Sequence, residues 1–536
     1  MSKFFSLFLP FVLCLSLFAG CRQTDGSSPS GGDDPKALPP QEDQVVVAIG
    51  DEPVSGFDPT VGWGHGASPL IQSSLLRYNS EMAFVGDLAL DYTLSEDGLT
   101  WTFRLREDAR FTDGTPVLAS DAAFTFQTAK NSQSALDLSN LADCEAVDPH
   151  QLRITLHQPS STFLHTAATL GIVPAHAYGE DYADHPIGSG PWRFVQWNKG
   201  EQLILEANQD YYGEIPKIQR LTLVFMDEDA AFAAAQAGQV DVALTSAIHG
   251  SQEIPGMRLE ALPTLDNRGF TLPVTAPHEV NGRTVGNAVT CHLSIRHAIA
   301  YAIDRERLAT DAVNGYAAPA YSENDGLPWN NPAVRIETDP AYAKALLAED
   351  GWADTDGDGV LEKDGLKAAF SCIYPSGDGV RQAVAMAAAA QLAEIGIHVE
   401  VEGVSWDEIA RRMFSDPVLM GWGSANPYTS YLLYHSSNAY QDDYYNPEGF
   451  SEDTVDAYLT AALHAATPEE ANAQWQLAQW DGSTGTAMQG ICPWVWLVNI
   501  QHLYYVAEGL DIGRQALHPH GADWSLLQNV EDWSWT

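Results

Sequence analysis

Residues 99–126 read LTWTFRLREDARFTDGTPVLASDAAFTF, and the order of patterns in that stretch decides the fold class. From Thr100 to Leu105 polar and apolar residues alternate, with Trp101, Phe103 and Leu105 on one face. A period of two marks a strand with one face buried. Asp113-Gly114-Thr115-Pro116 follows and is turn chemistry. Ser120 then stands where a side-chain oxygen caps a helix opening with Asp121.

Toward the N-terminus, Lys3 precedes an almost unbroken apolar run from Phe4 to Phe18. That run is shorter than the ~20 residues a membrane-spanning helix needs, so residues 1–20 read as a signal peptide. It ends at Phe18-Ala19-Gly20-Cys21. Small residues before a cysteine resemble the bacterial lipoprotein box, with Cys21 as the lipidation site and Phe18 in place of the usual Leu. Residues 21–44 are rich in Gly, Ser, Pro and Asp without apolar periodicity and read as a flexible tether. The expected location is across the membrane and lipid-anchored, facing a periplasm or the cell exterior. A single acyl chain holds weakly, so a stable anchor takes more than one.

The roughly 500 residues that remain exceed one core, so two or more lobes are expected. No later segment is long and apolar enough to span a membrane. A formal charge of -44 excludes nucleic acid and anionic lipid surfaces as partners; its plain reading is a solvated acidic surface. Cys144, Cys291, Cys372 and Cys492 lie beyond the tether. They permit three pairings, and their spacing matches no zinc pattern. Disulfides are open to them in an oxidising compartment, but their number is not decided by sequence.

Ile187-Gly188-Ser189-Gly190-Pro191-Trp192-Arg193-Phe194 is a glycine-rich turn entering a strand, followed by Trp197-Asn198-Lys199-Gly200 and by Asn208 to Gly213. An alanine-rich helix over 230–237 hands over at Gly238 to the buried strand of Gly238-Gln239-Val240-Asp241-Val242-Ala243. Ser294 to Arg305, SIRHAIAYAIDR, reads as an amphipathic helix capped by Ser294, with Ile295, Ala298, Ile299, Ala302 and Ile303 on one face. Val380 to Ile395 is a second alanine-rich helix, ended by Gly396, before the strand at His398-Val399-Glu400-Val401. Helices alternating with strands predict α/β lobes.

In this order, from residue 45 to residue 510, these segments resemble the family 5 extracellular solute-binding proteins, the peptide and nickel receptors of ABC importers. The resemblance implies an α/β, two-lobed periplasmic-binding-protein-like fold with an extra subdomain and a central ligand cleft. Residues 42–85, 188–270 and 490–536 would form the first lobe, 86–187 its additional subdomain, and 271–489 the second lobe, with hinges near 270 and 490. It implies a receptor and not an enzyme: a monomer working with ABC permease and ATPase subunits.

Met420 to Pro427 resembles the family stretch Trp-Gly-Ala-Asp-Tyr that emerges into the cleft, where peptide-binding members use the Asp to hold the ligand's ammonium. Here that position is Ala425. Trp422, Gly423, Ser424 and Asn426 are the expected contacts, joined by Tyr431 and His435 from an aromatic stretch that continues through Tyr434, Tyr440, Tyr444 and Tyr445. Gly62-Trp63-Gly64-His65-Gly66 sits at the family's first cleft loop, where glycines admit a ligand and Trp63 and His65 reach it. Short peptides are the first expectation for the ligand. A nickel chelate is the alternative, since nickel receptors of the family lack that Asp and His65, His435, His518 and His520 supply imidazoles suited to nickel. An oligosaccharide comes third, because 15 Trp offer stacking surfaces.

No cofactor is expected, with calcium and nickel the metals left open. Asp354-Thr355-Asp356-Gly357-Asp358-Gly359 matches the start of a calcium loop, with Asp354, Asp356 and Asp358 at alternate positions. The twelfth position is Gly365 instead of Glu, which favours a polar turn. The rival class is an extracellular hydrolase. No nucleophile elbow, Walker loop or H-E-x-x-H occurs, and 71 acidic residues nominate no catalytic pair.

Overall fold

Val45, Val47 and Ile49 are fully buried at alternate positions of the strand Gln44–Ile49, the centre of a seven-stranded sheet. The computed structural model describes residues 43–64, 69–132, 136–521 and 524–536. In this first sheet Gln44–Ile49 lies parallel to Arg220–Phe225 and to Val242–Thr245, with Val47 opposite Leu223 and Val242. The helix Glu228–Gln236 connects them. Asp227 caps it by accepting the Ala230 N–H at 2.8 Å, and Gly238 turns the chain out at φ +66°. His502–Ala507 closes the sheet, antiparallel between Val242–Thr245 and Met257–Leu262.

A four-stranded antiparallel sheet, Ala89–Leu94, Thr100–Leu105, Gln151–Leu156 and Leu141–Asp148, forms the core of the additional subdomain. Trp101, Phe103 and Leu105 are buried together, as the alternation requires. The following helix is Ala119–Lys130 and its cap differs from expectation. Ser120 is exposed inside the first turn, while the Asp121 carboxylate reaches back to accept the Leu118 N–H at 2.9 Å. An acid two residues after the helix start closes the turn without a hydroxyl. The glycine-rich turn is a backbone-to-backbone joint. A Cβ on Gly188 would sit 2.0 Å from the Ile71 carbonyl oxygen, and the Gly190 N–H donates to that oxygen at 2.8 Å.

The second lobe is built on a six-stranded mixed sheet in the order Ala317–Pro319, Trp494–Ile500, Asn267–Thr271, Val418–Met420, Ala369–Pro375, His398–Val404. The amphipathic helix spans Leu293–Ala302 and is not capped by Ser294, whose hydroxyl donates to Asp350. It stops at Ala302, and Arg305–Asp311 resumes under an Asp304 cap. The break lets Arg305 turn inward. Its guanidinium is fully buried and donates to the carbonyls of Ala300, Ile303, Ala320 and Trp496.

The chain passes between the large sheets twice, over residues 263–266 and at Gln501. Trp494–Ile500 is a strand of the second sheet paired with Asn267–Thr271, so the second crossing falls at Gln501 and not near 490. The strand is buried on both faces through Val498, with Trp494 and Trp496 in one core of the second lobe and Val495, Leu497 and Val498 in another. Cys144, Cys291, Cys372 and Cys492 are all free thiols. Among the described residues no helix is long and apolar enough to cross a membrane. The signal segment, most of the tether, Cys21 and His65 lie outside the described residues.

Candidate functional site

The strand Val418–Met420 carries the chain from the second lobe into the loop 421–427, which is fastened to the crossings. Trp422 exchanges hydrogen bonds with Asn267: its carbonyl accepts from the Asn267 N–H at 3.1 Å, and its N–H donates to Asn267 Oδ1 at 3.2 Å. The Gly423 carbonyl accepts from the His520 N–H at 2.8 Å. A Cβ on Gly423 would lie 1.8 Å from the Leu265 carbonyl oxygen. The loop therefore touches the crossing segment at Gly423, where no side chain fits.

Ser424 and Asn426 follow in the same loop. Both line two adjoining cavities, of about 210 and 560 Å³, between the second lobe and the first lobe with its subdomain. Leu136 and Thr166 also line both, so the two spaces form one cleft, and Ala425 faces the smaller part. Tyr431 lines the larger part, stacked between Tyr428 at 5.5 Å and His435 at 4.4 Å. His435 backs Tyr431 instead of facing the cleft; its Nδ1 meets Ser437 at 2.8 Å and its Nε2 faces Thr460. Trp422 stacks on Tyr445 at 4.7 Å and stands one layer behind the cavity wall. Trp63 is likewise behind the wall. It is buried, and its Nε1–H donates to the Pro69 carbonyl and to Gln72, two residues that line the smaller cavity. An aromatic ring between glycines was the signal for a contact, but its apolar face found core partners in Phe57 and Trp524.

The smaller cavity holds charges that sequence did not single out. Glu531 and Asp87 line it together with Arg77, whose Nη1 lies 3.2 Å from Glu531. The Glu531 side chain is 14% exposed and that of Arg77 54%. Burial pushes the Glu531 carboxyl up to about 7, Arg77 pulls it down, and Asp532 and Asp87 raise it further. Burial also raises Asp87, against the Tyr212 hydroxyl that donates to it and the cation of Arg77. His165, in the same wall, is pushed down to about 3 by burial and is a neutral imidazole beside the Tyr78 hydroxyl.

A third cavity, of about 680 Å³, lies against the two crossings. Thr245, Ser246 and His249 of the first lobe border it, as do Arg268, Asp378 and Arg381 of the second and Asp266 and His502 at the crossings. Burial alone would raise the Asp266 carboxyl, but Arg268, His520 and His502 hold it well below the usual range. It is an ionised hub: His502 Nε2 lies at 3.0 Å, His520 Nδ1 at 2.6 Å, and the Arg268 guanidinium is paired with it.

Among the described residues, His435, His518 and His520 do not converge on one point. His518 is fully buried, 3.2 Å from His502 between their Nδ1 atoms, and burial lowers it to about 3. With His520 held on Asp266, the His518-Pro519-His520 segment is a strap along the crossing and not a surface tail. The acidic loop keeps its carboxylates together: Asp354, Asp356, Asp358 and Glu362 have ligand atoms within 4.8 Å of one another. Lys367 occupies that centre, its Nζ 3.1 Å from Asp356, paired with Asp358 and 3.7 Å from Glu362. The backbone N–H groups of Gly357, Gly359, Asp358 and Val360 take the remaining oxygens. The cation in this loop is an ammonium from the chain itself.

Comparison with known proteins places this geometry in a family. The model for bacterial extracellular solute-binding proteins, family 5 middle, matches residues 83–444. Protein XP55 of Streptomyces lividans is 30% identical over 488 residues, covering 88% of this chain and 86% of that protein. The oligopeptide-binding protein AppA of Bacillus subtilis is 26% identical over 458 residues, 80% of this chain and 83% of AppA. Among solved structures, NikZ from Campylobacter jejuni in complex with Ni(L-His) has the same fold, with a TM-score of 0.79 at 24% identity over 93% of this chain and 100% of that one. The chain belongs to the family 5 bacterial extracellular solute-binding proteins, extracytoplasmic receptors that serve ABC importers.

Proposed function

We propose that this receptor captures short peptides in the cleft between its lobes and delivers them to a membrane permease. One observation carries the choice of ligand: the cavity that Ala425 faces is lined on its other side by Glu531 and Asp87, where the half-exposed Arg77 pairs with Glu531 and Arg106, which also acts on Asp87, is already paired with Asp108. Two acids withdrawn from water without a cation each to themselves are held toward the protonated form, and an entering ammonium favours their ionised form by pairing with it. A peptide ammonium entering there meets Glu531, which takes the role that the Asp of peptide-binding relatives has at position 425. The likeness to AppA, an oligopeptide-binding protein, agrees with this reading. The nickel alternative gains no imidazole among the described residues, since His435, His518 and His520 face other partners.

Cys21 and the segment 21–44 complete the proposal as lipid anchor and tether of a monomer. Incorporation of labelled fatty acid, lost in Cys21→Ser, checks the anchor. For the ligand, native mass spectrometry and elemental analysis of the protein as purified from peptide-rich medium are decisive. A series of added masses matching short peptides supports the proposal. A stoichiometric nickel signal without peptide masses would reject it.

A further inference from the structure

The additional subdomain and the second lobe are joined directly by hydrogen bonds between segments more than 300 residues apart. The Ser161 N–H donates to the Leu463 carbonyl at 2.9 Å, and the Ser161 hydroxyl to the Ala462 carbonyl at 2.8 Å. His464 Nδ1 donates to the Pro159 carbonyl at 2.8 Å, with its proton on that nitrogen. The Tyr428 hydroxyl adds a bond to Asp137 at 3.0 Å.

Each side of this contact is fixed in its own lobe. Leu463 ends the helix Asp453–Leu463, which packs into the second lobe through Val455, Leu459 and Ala462. The last carbonyls of a helix find no donor inside it and need one from elsewhere; here the subdomain supplies it. Ser161 precedes the helix Phe163–Thr169, whose Phe163 lies in the subdomain core. Its loop is tied down at Asn140, next to the strand Leu141–Asp148. The Gln158 N–H donates to Asn140 Oδ1 and the Asn140 amide donates to the Gln158 carbonyl, both at 2.9 Å. The partners thus meet already ordered, which keeps the cost of joining them low. Ser160, Thr162, Leu463 and His464, the neighbours of these bonds, line the larger part of the cleft, so the contact forms one of its sides.

We infer that Ser161, His464 and the end of the helix Asp453–Leu463 form an inter-lobe clasp, a joint that the lobes make only on closing and that holds the cleft shut on its contents. The crossings at 263–266 and Gln501 are covalent and persist at every opening angle; the clasp is the joint that parts when the lobes separate. Bonds that belong to the closed state alone shift the equilibrium toward it and slow the escape of whatever the cleft has captured. The clasp rests on the receptor function and not on the choice of peptides as ligand.

Hydrogen exchange of the full chain, read by mass spectrometry without added ligand, tests it, because the Ser161 N–H is itself one of the bonds. Ser161→Ala/His464→Ala keeps that N–H and deletes two side-chain bonds. Segment 159–163 is expected to exchange about tenfold faster in the variant, from the loss of two neutral hydrogen bonds. Segment 100–105 should exchange alike in both proteins, which shows that the subdomain stays folded. Small-angle scattering should give the variant the larger radius of gyration. Equal exchange over 159–163 overturns the clasp, and so does faster exchange at an unchanged radius, since the loop then frays alone. With a pool of short peptides as probe, dissociation should be about tenfold faster from the variant at an unchanged association rate; an unchanged dissociation rate overturns the clasp. If the pool binds neither protein, the peptide reading fails, and exchange and scattering decide the clasp.

Discussion

At the scale of single residues, Ala425 and Glu531 form a complementary pair, an acid missing from one wall of a cavity and present on the other. Glu531→Gln is expected to weaken peptides with a free amino terminus by about tenfold, the loss of one charged hydrogen bond. N-acetylated peptides should bind both proteins alike. Equal loss for both ligand types in calorimetry would show that Glu531 serves the fold only. Glu448 is a second buried acid with a measurable consequence. The Trp494 N–H donates to Oε1 at 2.9 Å, Oε2 has no partner among the described residues, and burial pushes the carboxyl from 4.5 up to about 8. The folded state thus keeps a proton that the unfolded chain releases above 4.5, and stability falls as pH rises between those values. Glu448→Gln should melt higher than wild type at about pH 8.5, with the gap closing toward about pH 5. A constant gap across that range would contradict this account.

At the scale of elements, helix caps show what a local pattern can and cannot decide. Asp227, Asp304 and Asp378 each accept an N–H three residues on. Ser120 and Ser294 do not cap, although both precede apolar helical faces. Asp121 closes one turn from inside, and Asp350, brought in from a distant helix, takes the Ser294 hydroxyl. The acidic loop is similar: its sequence specifies convergent carboxylates, but Lys367 comes from the neighbouring hairpin strand Leu366–Lys367. Lys367→Ala removes the ammonium and leaves four oxygen ligands for a hard cation. Calcium is expected to raise the melting temperature of that variant by a few degrees and to leave the wild type unmoved. Differential scanning calorimetry with calcium and with chelator checks this.

At the scale of the whole molecule, two short crossings join the sheets, and Asp266 ties both of them together. It lies on the first, binds His502 just past the second, and holds Arg268 and His520. Asp266→Asn would leave the Arg268 guanidinium buried without its counter-ion, a loss of about 3–5 kcal/mol by comparison with other broken buried pairs. Chemical denaturation should show that loss, and the variant should also raise the scattering radius as the lobes lose their joint. A loss below about 1 kcal/mol, the size of an exposed pair, would show the hub to be dispensable.

The sequence by itself determined the elements and their order. Thr100 to Leu105 had to be a half-buried strand and Gly238 a helix exit, because periodicity and turn chemistry act over a few residues; the two lobes came from the resemblance of the ordered motifs to a family. The loop 421–427 was legible as well, since its glycines and the residues lining the cleft, Ser424 and Asn426, are contiguous. Only the tertiary structure decided which side chains line the cleft. Trp63, Trp422 and His435 turned into the protein because apolar and stacking partners waited there. Glu531 and Arg268, unremarkable among 71 acidic and 27 basic residues, took Arg77 and Asp266 as partners only in the folded chain. A charge acquires chemistry when its water is removed and its partners are set, and those partners come from segments hundreds of positions apart.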